Sequence, residues 1–297
     1  MKPCVFTGVA TALITPFGTD GSVNYAELDR EIDFQLASGI NAIVTCGTTG
    51  ESAALSNPEH CRIMAHTIDR VNGRVPVIAG TGSNNTAYAL ELSKEAAQMG
   101  ANALLLVSPY YNKTSQSGLV KHFNHIAERV DVPCILYNVP SRTGCNIKPE
   151  TYLTLSQTPN IVAVKEAGGN LSAIAQTAAL CGSNLTIYSG NDDQTIPVLA
   201  LGGKGVVSVT SNICPREMVE ITRLWFSGKI DESRALFLRW LDLMNALFYD
   251  VNPIPVKAAM QKMGYDCGPC RLPLTDMPDS SMRMLVQVLE KHKLLKA

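Results

Sequence analysis

The chain has no apolar run near the roughly 18 residues that a membrane-spanning helix needs, and no surplus of charge. Its 25 lysines and arginines balance 26 acidic residues, for a net charge of −1. Nothing therefore points to a nucleic-acid or lipid surface. Histidine is scarce, with five in 297 residues. The Asp192-Asp193 pair is joined by no His or carboxylate cluster at ligand spacing, so no metal site is expected. Ser52 has no matching His and acid for a hydrolase triad. Gly80-x-Gly82 follows an apolar run but lacks the third glycine of a dinucleotide loop. The most apolar N-terminal stretch, 5–17, is interrupted by Thr7, Gly8, Thr11, Thr15 and Pro16 and shows no small-residue cleavage site. It reads as the first strand of a cytoplasmic protein.

Cysteine is plentiful but not arranged as a disulfide framework. The nine thiols are an odd number and scattered, and most sit in apolar runs where a free thiol acts as a small hydrophobe. Cys267-Gly268-Pro269-Cys270 spells a thioredoxin-type redox motif, but it lies in a Gly/Pro-rich loop instead of joining a strand to a helix.

What is present is a repeated pattern in a chain that is 46% hydrophobic and 17% charged, long enough for one large barrel or two small domains. An apolar, β-branched run ends in a cluster of Gly, Ser, Thr, Asn or Pro, and a segment of helical periodicity follows. The runs are 9–14, 42–46, 75–80, 103–107, 134–138, 161–165, 186–189 and 205–209. Between them lie helix candidates at 24–38, 57–72, 85–99, 115–130, 149–157, 171–181, 192–201 and 215–228. Near-continuous apolar strands alternating with helices predict a parallel sheet covered on both faces. Eight complete units favour an α/β fold of the closed (β/α)8 TIM-barrel type over an open sheet. After residue 228 the strands stop, and 231–250, 254–264 and 279–293 read as helices. The expected organisation is a barrel over 1–228 and a C-terminal helical domain over 229–297.

In such a barrel the active site forms at the carboxyl ends of the strands. The sixth run, Ile161-Val162-Ala163-Val164, leads into Lys165 and then Gly168-Gly169-Asn170. A lysine at the end of a buried strand either finds a carboxylate partner or loses its proton to burial. In the second case it is a nucleophile that forms Schiff bases with carbonyl compounds. Other strand ends complete a set around it. Gly47-Thr48-Thr49-Gly50 offers amides and two hydroxyls to a small carboxylate. Tyr137 supplies a phenol that can pass a proton, and Arg142 can hold a second carboxylate bidentately. Together these describe a lysine Schiff base with a small 2-oxo acid.

Gly47-Thr48-Thr49-Gly50-Glu51, Pro109-Tyr110-Tyr111-Asn112, Tyr137-Asn138-Val139-Pro140-x-Arg142-x-Gly144, Lys165 and Asn252-Pro253-Ile254-Pro255-Val256-Lys257 carry a resemblance over essentially the whole chain. The chain resembles the pyruvate-dependent class I aldolases, the family of N-acetylneuraminate lyase and dihydrodipicolinate synthase. It stands nearer the synthases, since Thr48-Thr49 and Arg142 separate them from the lyases. The resemblance implies that Lys165 forms the Schiff base with pyruvate. It implies a proton relay of Tyr137, Thr49 and Tyr111, with Tyr111 reaching into a neighbouring subunit's site. It also implies that Thr48 and Thr49 bind the pyruvyl carboxylate, Arg142 the carboxylate of aspartate 4-semialdehyde, and that Gly190 and Val207 wall the site. The implied reaction is condensation and cyclisation to 4-hydroxy-tetrahydrodipicolinate, in the diaminopimelate and lysine route. No organic cofactor and no metal are implied, and the implied assembly is a homotetramer built as a dimer of dimers.

Lysine-sensitive members of the family carry an effector pocket, and the matching positions here are Ser52, Ala53, Asn57, His60, Asn84, Tyr88 and Tyr110. The sequence departs from it at Asn57, where histidine is usual, and at Tyr88, where glutamate is. Three rivals stay open: another aldolase of the same chemistry acting on a sugar acid or hydroxy-oxo acid, a non-catalytic barrel, and a thiol redox protein resting on Cys267 and Cys270.

Overall fold

Runs of Ala, Val, Ile and Leu with no polar face to turn toward water form strands that must be covered on both sides. The computed structural model describes residues 2–295. Its strands are β1 Gly8–Ala12, β2 Ala42–Thr45, β3 Val77–Gly80, β4 Ala103–Val107, β5 Cys134–Asn138, β6 Ile161–Glu166, β7 Thr186–Ser189 and β8 Gly205–Ser208. In the order β1 to β8 they close into a barrel, and the fold is the (β/α)8 barrel expected from the eight repeats. The pairings β1–β2 and β3 through β8 are parallel.

The chain divides into two compact units. One is the chain up to Gly8 with Pro76–Val207, and the other is Val9–Val75 with the chain from Ser208 on. The first holds the β3–β7 ladder and most of β8. The second holds nearly all of β1, β2 and the three last helices, Ile230–Ala246, Ile254–Lys262 and Asp279–Lys291.

Helix starts follow local chemistry. Asn24, Asn85, Ser115 and Asn170 each accept a hydrogen bond from a first-turn amide of the helix they precede. Ser56 and Glu59 form a capping box on Asn57–Val71. The expected helix 192–201 is two pieces, a 3-10 turn Asp192–Gln194 and an α-helix Thr195–Ala200. Pro197 falls in the first turn of the second piece, where a missing N–H does no harm. A short helix absent from the sequence reading, Pro140–Thr143, follows β5. Pro140 opens it and Gly144, at φ 66°, closes it in the left-handed region that glycine adopts freely.

The strand carrying Lys165 is anchored at its amino end by a distant lysine. Lys2 Nζ donates to the carbonyls of Ser156, Thr158 and Ile161 at 2.6, 2.7 and 2.6 Å. Among the described residues no helix is long and apolar enough to cross a membrane. Nor, among them, does any group of three or more His, Cys, Asp or Glu stand ready to hold a metal.

Candidate active site

Lys165 is the fifth residue of β6, and its register partner on β5 is Tyr137. Partners in a parallel ladder point to the same face, so the two side chains meet. Lys165 Nζ lies 4.2 Å from the centroid of the Tyr137 ring, and each residue is 6% exposed. Among the described residues no carboxylate forms an ion pair with Lys165, and no oxygen accepts a hydrogen bond from it. The amine is buried against a π face, and its nitrogen is not consumed by a hydrogen bond or ion pair among the described residues.

The next residue along each strand faces the other way, and there the sequence reading missed a network. Glu166 accepts from Tyr152 Oη at 2.6 Å and from Asn138 Nδ2 at 3.0 Å. Asn138 also donates to Asn146 Oδ1 and accepts from the amide of Ile147. All of the donors are neutral, so burial raises the Glu166 carboxyl above its ordinary range while Tyr152 and Asn138 pull it partly back. Burial, and then the nearby Glu166 carboxylate, hold the Tyr152 phenol well above its usual value. This network ties β5, β6 and helix Pro149–Leu155 together behind the Tyr137–Lys165 pair. Its signal in the sequence was the polar residue following each inward one, Asn138 after Tyr137 and Glu166 after Lys165.

The other candidates of the first unit stand at their expected strand ends. Gly190 follows β7, and a Cβ there would stand 3.1 Å from Lys165 Cε and 2.8 Å from Ala167 Cβ. A side chain at this position would crowd both Ala167 and the lysine stem. Val207 is buried in β8. Arg142 is exposed in the short helix after β5. Beside it, the stem of Lys113 lies over Gly144, with Cδ 3.4 Å from the position a Cβ would take. Tyr110 is 37% exposed and Tyr111 89%, and Tyr111 holds φ at 67°, a conformation uncommon for a non-glycine residue. Asn84 Nδ2 donates to the Tyr110 carbonyl at 3.2 Å, and Tyr88 lies half-buried in helix Thr86–Gln98.

The second unit carries Thr48 and Thr49 in the loop after β2. Cys46 at φ 53° and Glu51 at φ 54° flank this loop, both in the left-handed region. The amides of Gly50 and Glu51 turn back onto the carbonyls of Gly47 and Thr48. The amides of Thr48 and Thr49 donate to no group among the described residues. Thr49 Oγ1 accepts from Asn252 Nδ2 at 3.0 Å. Glu51 is paired with Lys257 at 2.9 Å, with side chains only 1% and 2% exposed. Lys257 also donates to the carbonyls of Thr15 and Pro269, and Glu51 accepts from the Arg271 amide. The sequence reading took neither Asn252 nor Lys257 as a site residue. Of the expected effector positions here, Ser52 and Ala53 lie in a 3-10 turn, Asn57 starts helix Asn57–Val71 exposed, and His60 is buried one turn on.

The redox motif finds no support. Burial pushes the thiols of both Cys267 and Cys270 up to about 12, opposite to the low values of reactive cysteines. Both are free thiols, and Cys267 is fully buried.

A (β/α)8 barrel with an unpaired, buried lysine beside a tyrosine at a strand's carboxyl end defines the class of barrel enzymes equipped for carbonyl chemistry. Within that class the chain belongs to the Dihydrodipicolinate synthetase family, whose sequence model matches residues 5–292. It is 50% identical over 295 residues to the 4-hydroxy-tetrahydrodipicolinate synthase of Acetivibrio thermocellus, covering 99% of this chain and 100% of that one. The crystal structure of dihydrodipicolinate synthase from Thermotoga maritima superposes with a TM-score of 0.96 at 41% identity, covering 98% of this chain and 100% of that one. A DHDPS from Cyanidioschyzon merolae with lysine bound superposes at 0.95 and 41% identity, covering 99% and 100%.

Proposed function

We propose that Lys165 is the nucleophile of the reaction this lyase catalyses, the condensation of pyruvate with L-aspartate 4-semialdehyde to 4-hydroxy-tetrahydrodipicolinate. Lys165 Nζ attacks the pyruvate carbonyl carbon, and loss of water leaves an imine. The imine draws off the electrons of a methyl C–H bond, and the resulting enamine carbon attacks the aldehyde of the second substrate. The amine of that substrate then closes on the imine carbon and releases Lys165. Tyr137, Thr49 and Tyr111 pass the protons these steps require. Thr48 and Thr49 bind the pyruvyl carboxylate, Arg142 binds the carboxylate of the semialdehyde, and Gly190 and Val207 wall the site.

One observation carries this reading. Lys165 is buried against the Tyr137 ring with no acceptor on its nitrogen. The undonated amides of Thr48 and Thr49 support a carboxylate seat. Treating the protein with pyruvate and borohydride tests it. One pyruvyl-derived group is expected, on the peptide containing residues 161–167, and a label confined to another lysine overturns the assignment.

The protein acts in the cytoplasm as a homotetramer, a dimer of dimers, with 229–297 a helical extension of the barrel of 1–228. Tyr111, 89% exposed in a left-handed conformation, supports a subunit contact at that loop. Full activity in a sample shown by sedimentation to be monomeric overturns it. Lysine, if it docks around Ser52, Ala53, Asn57, His60, Asn84, Tyr88 and Tyr110, meets a phenol at Tyr88 where an acid would pair with its ammonium. Removing one side of a buried charge pair costs about 2–5 kcal/mol. Turnover is expected to change little at millimolar lysine, and cooperative inhibition below a millimolar refutes this.

A further inference from the structure

Asn252 and Thr49 are 5% and 3% exposed, lie in the same compact unit, and are joined by the Asn252 Nδ2 to Thr49 Oγ1 hydrogen bond of 3.0 Å. A threonine hydroxyl has one hydrogen and two lone pairs. The amide N–H fills one lone pair and has no means of accepting, so the direction of this bond is fixed. Thr49 keeps its hydrogen and one lone pair for whatever stands on its other side. An N–H received at the oxygen also polarises the hydroxyl, making it a stronger donor.

The surrounding frame holds this contact in place. A loop with non-glycine residues in the left-handed region at both ends persists only where its surroundings over-determine it. Here Cys46 and Glu51 take those conformations. Lys257 Nζ and the Arg271 amide hold the Glu51 carboxylate at 2.9 and 2.8 Å. Lys257 is further fixed by the carbonyls of Thr15 and Pro269. The segment from Asn252 to Arg271 thus grips the loop at its carboxylate and at its hydroxyl. Within that grip, Asn252 is the member that touches a group assigned to proton transfer.

We infer that Asn252 is a positioning residue for the condensation: it sets the direction and donor strength of the Thr49 hydroxyl, and through it the proton transfers at the imine. This rests on Thr49 belonging to the proton relay, as proposed above.

The test is a double-variant cycle on the full-length protein. Asn252→Asp keeps the shape of the side chain, but a carboxylate only accepts, so the bond to Thr49 runs backwards. Expected are a fall in kcat of about tenfold to hundredfold, the low end of what a placed proton-transfer group contributes, little change in KM for pyruvate, and undiminished borohydride trapping. In a Thr49→Val background the same substitution has no further effect on kcat, because the hydroxyl it acts through is gone. Should Asn252→Asp not fold, Asn252→Ala removes the donor without adding charge and enters the same cycle, its melting temperature read alongside. Losses that multiply in the double variant overturn the inference, since Asn252 would then act by another route. Unchanged kcat in the Asn252 variants, with Thr49→Val slow, overturns the positioning role alone. Wild-type kcat in Thr49→Val instead brings down the relay, and the inference with it.

Discussion

Two lysines are buried among the described residues, each over an aromatic ring, and their nitrogens differ in the acceptors around them. Lys257 is enclosed by Glu51 and the carbonyls of Thr15 and Pro269, three acceptors for the three hydrogens of an ammonium. Lys165 is bonded to no acceptor among the described residues and lies over the Tyr137 ring. Burial is nearly equal, at 2% and 6% exposure, so burial does not distinguish the two. The number of acceptors around the nitrogen does. The neighbouring carboxylates repeat the contrast. Glu51 has a cation beside it, whereas Glu166, behind Lys165, is satisfied by neutral donors alone. Placing Glu166 on the far face of β6 leaves the Lys165 nitrogen without a carboxylate partner among the described residues.

The largest effect that sharpens this contrast is on chemistry. Lys165→Ala is expected to lose both borohydride trapping and turnover, while Lys257→Met still traps pyruvate on Lys165. A label appearing on Lys257 in the wild-type protein breaks the comparison outright.

The next is on stability. Lys257→Met leaves Glu51 buried without its cation, and removing one partner of such a pair costs about 3–5 kcal/mol. Urea unfolding measures this, and a loss under about 1 kcal/mol would place the pair among exposed ones.

A smaller effect falls on the second substrate. Arg142→Ala is expected to keep trapping but lower kcat/KM for the semialdehyde about ten- to hundredfold, the equivalent of one charge-assisted contact of about 1.5–3 kcal/mol. Arg142→Lys is not expected to restore it, since an ammonium lacks the planar fork. A variant with unchanged kcat/KM removes Arg142 from the site.

The smallest concerns a third buried ionisable group. Glu31 is 1% exposed, neither of its oxygens has a hydrogen-bond partner among the described residues, and burial, then Glu27, hold its carboxyl well above the usual range. A pKa raised in the folded state favours folding fully below the unfolded value, about 4.3, and that contribution is lost as pH rises beyond it. Glu31→Gln is therefore expected to gain stability over the wild type as pH climbs from 4.5 to 8. A difference independent of pH would show that Glu31 is not held protonated by the fold.

The barrel was legible because each strand announces itself by an apolar run and a turn cluster, and β4, β5 and β7 coincide with the expected runs. Lys165 and Tyr137 were legible for the same reason, as polar residues closing apolar strands. Glu166, Tyr152, Asn252 and Lys257 were given no role at the site, although Asn252 and Lys257 lie in a segment that carries the resemblance. Their roles arise from contacts between segments far apart in sequence, up to 206 positions for Lys257 and Glu51, and no local period encodes such a meeting. The helix Pro140–Thr143 was missed because four residues are too few to show a helical period.

Gly190 bears on how this enzyme can be altered. With Ala167 Cβ 2.8 Å and the Lys165 stem 3.1 Å from where a Cβ would sit, a larger residue at this position makes its neighbours shift. A library built to broaden the aldehydes accepted is best spent elsewhere. Ser141 is exposed on the short helix after β5, where a replacement side chain meets water, whereas Gly144, at φ 66° beside the Lys113 stem, is not such a position. Variation is thus better accommodated at Ser141 than at the glycine beside Lys165.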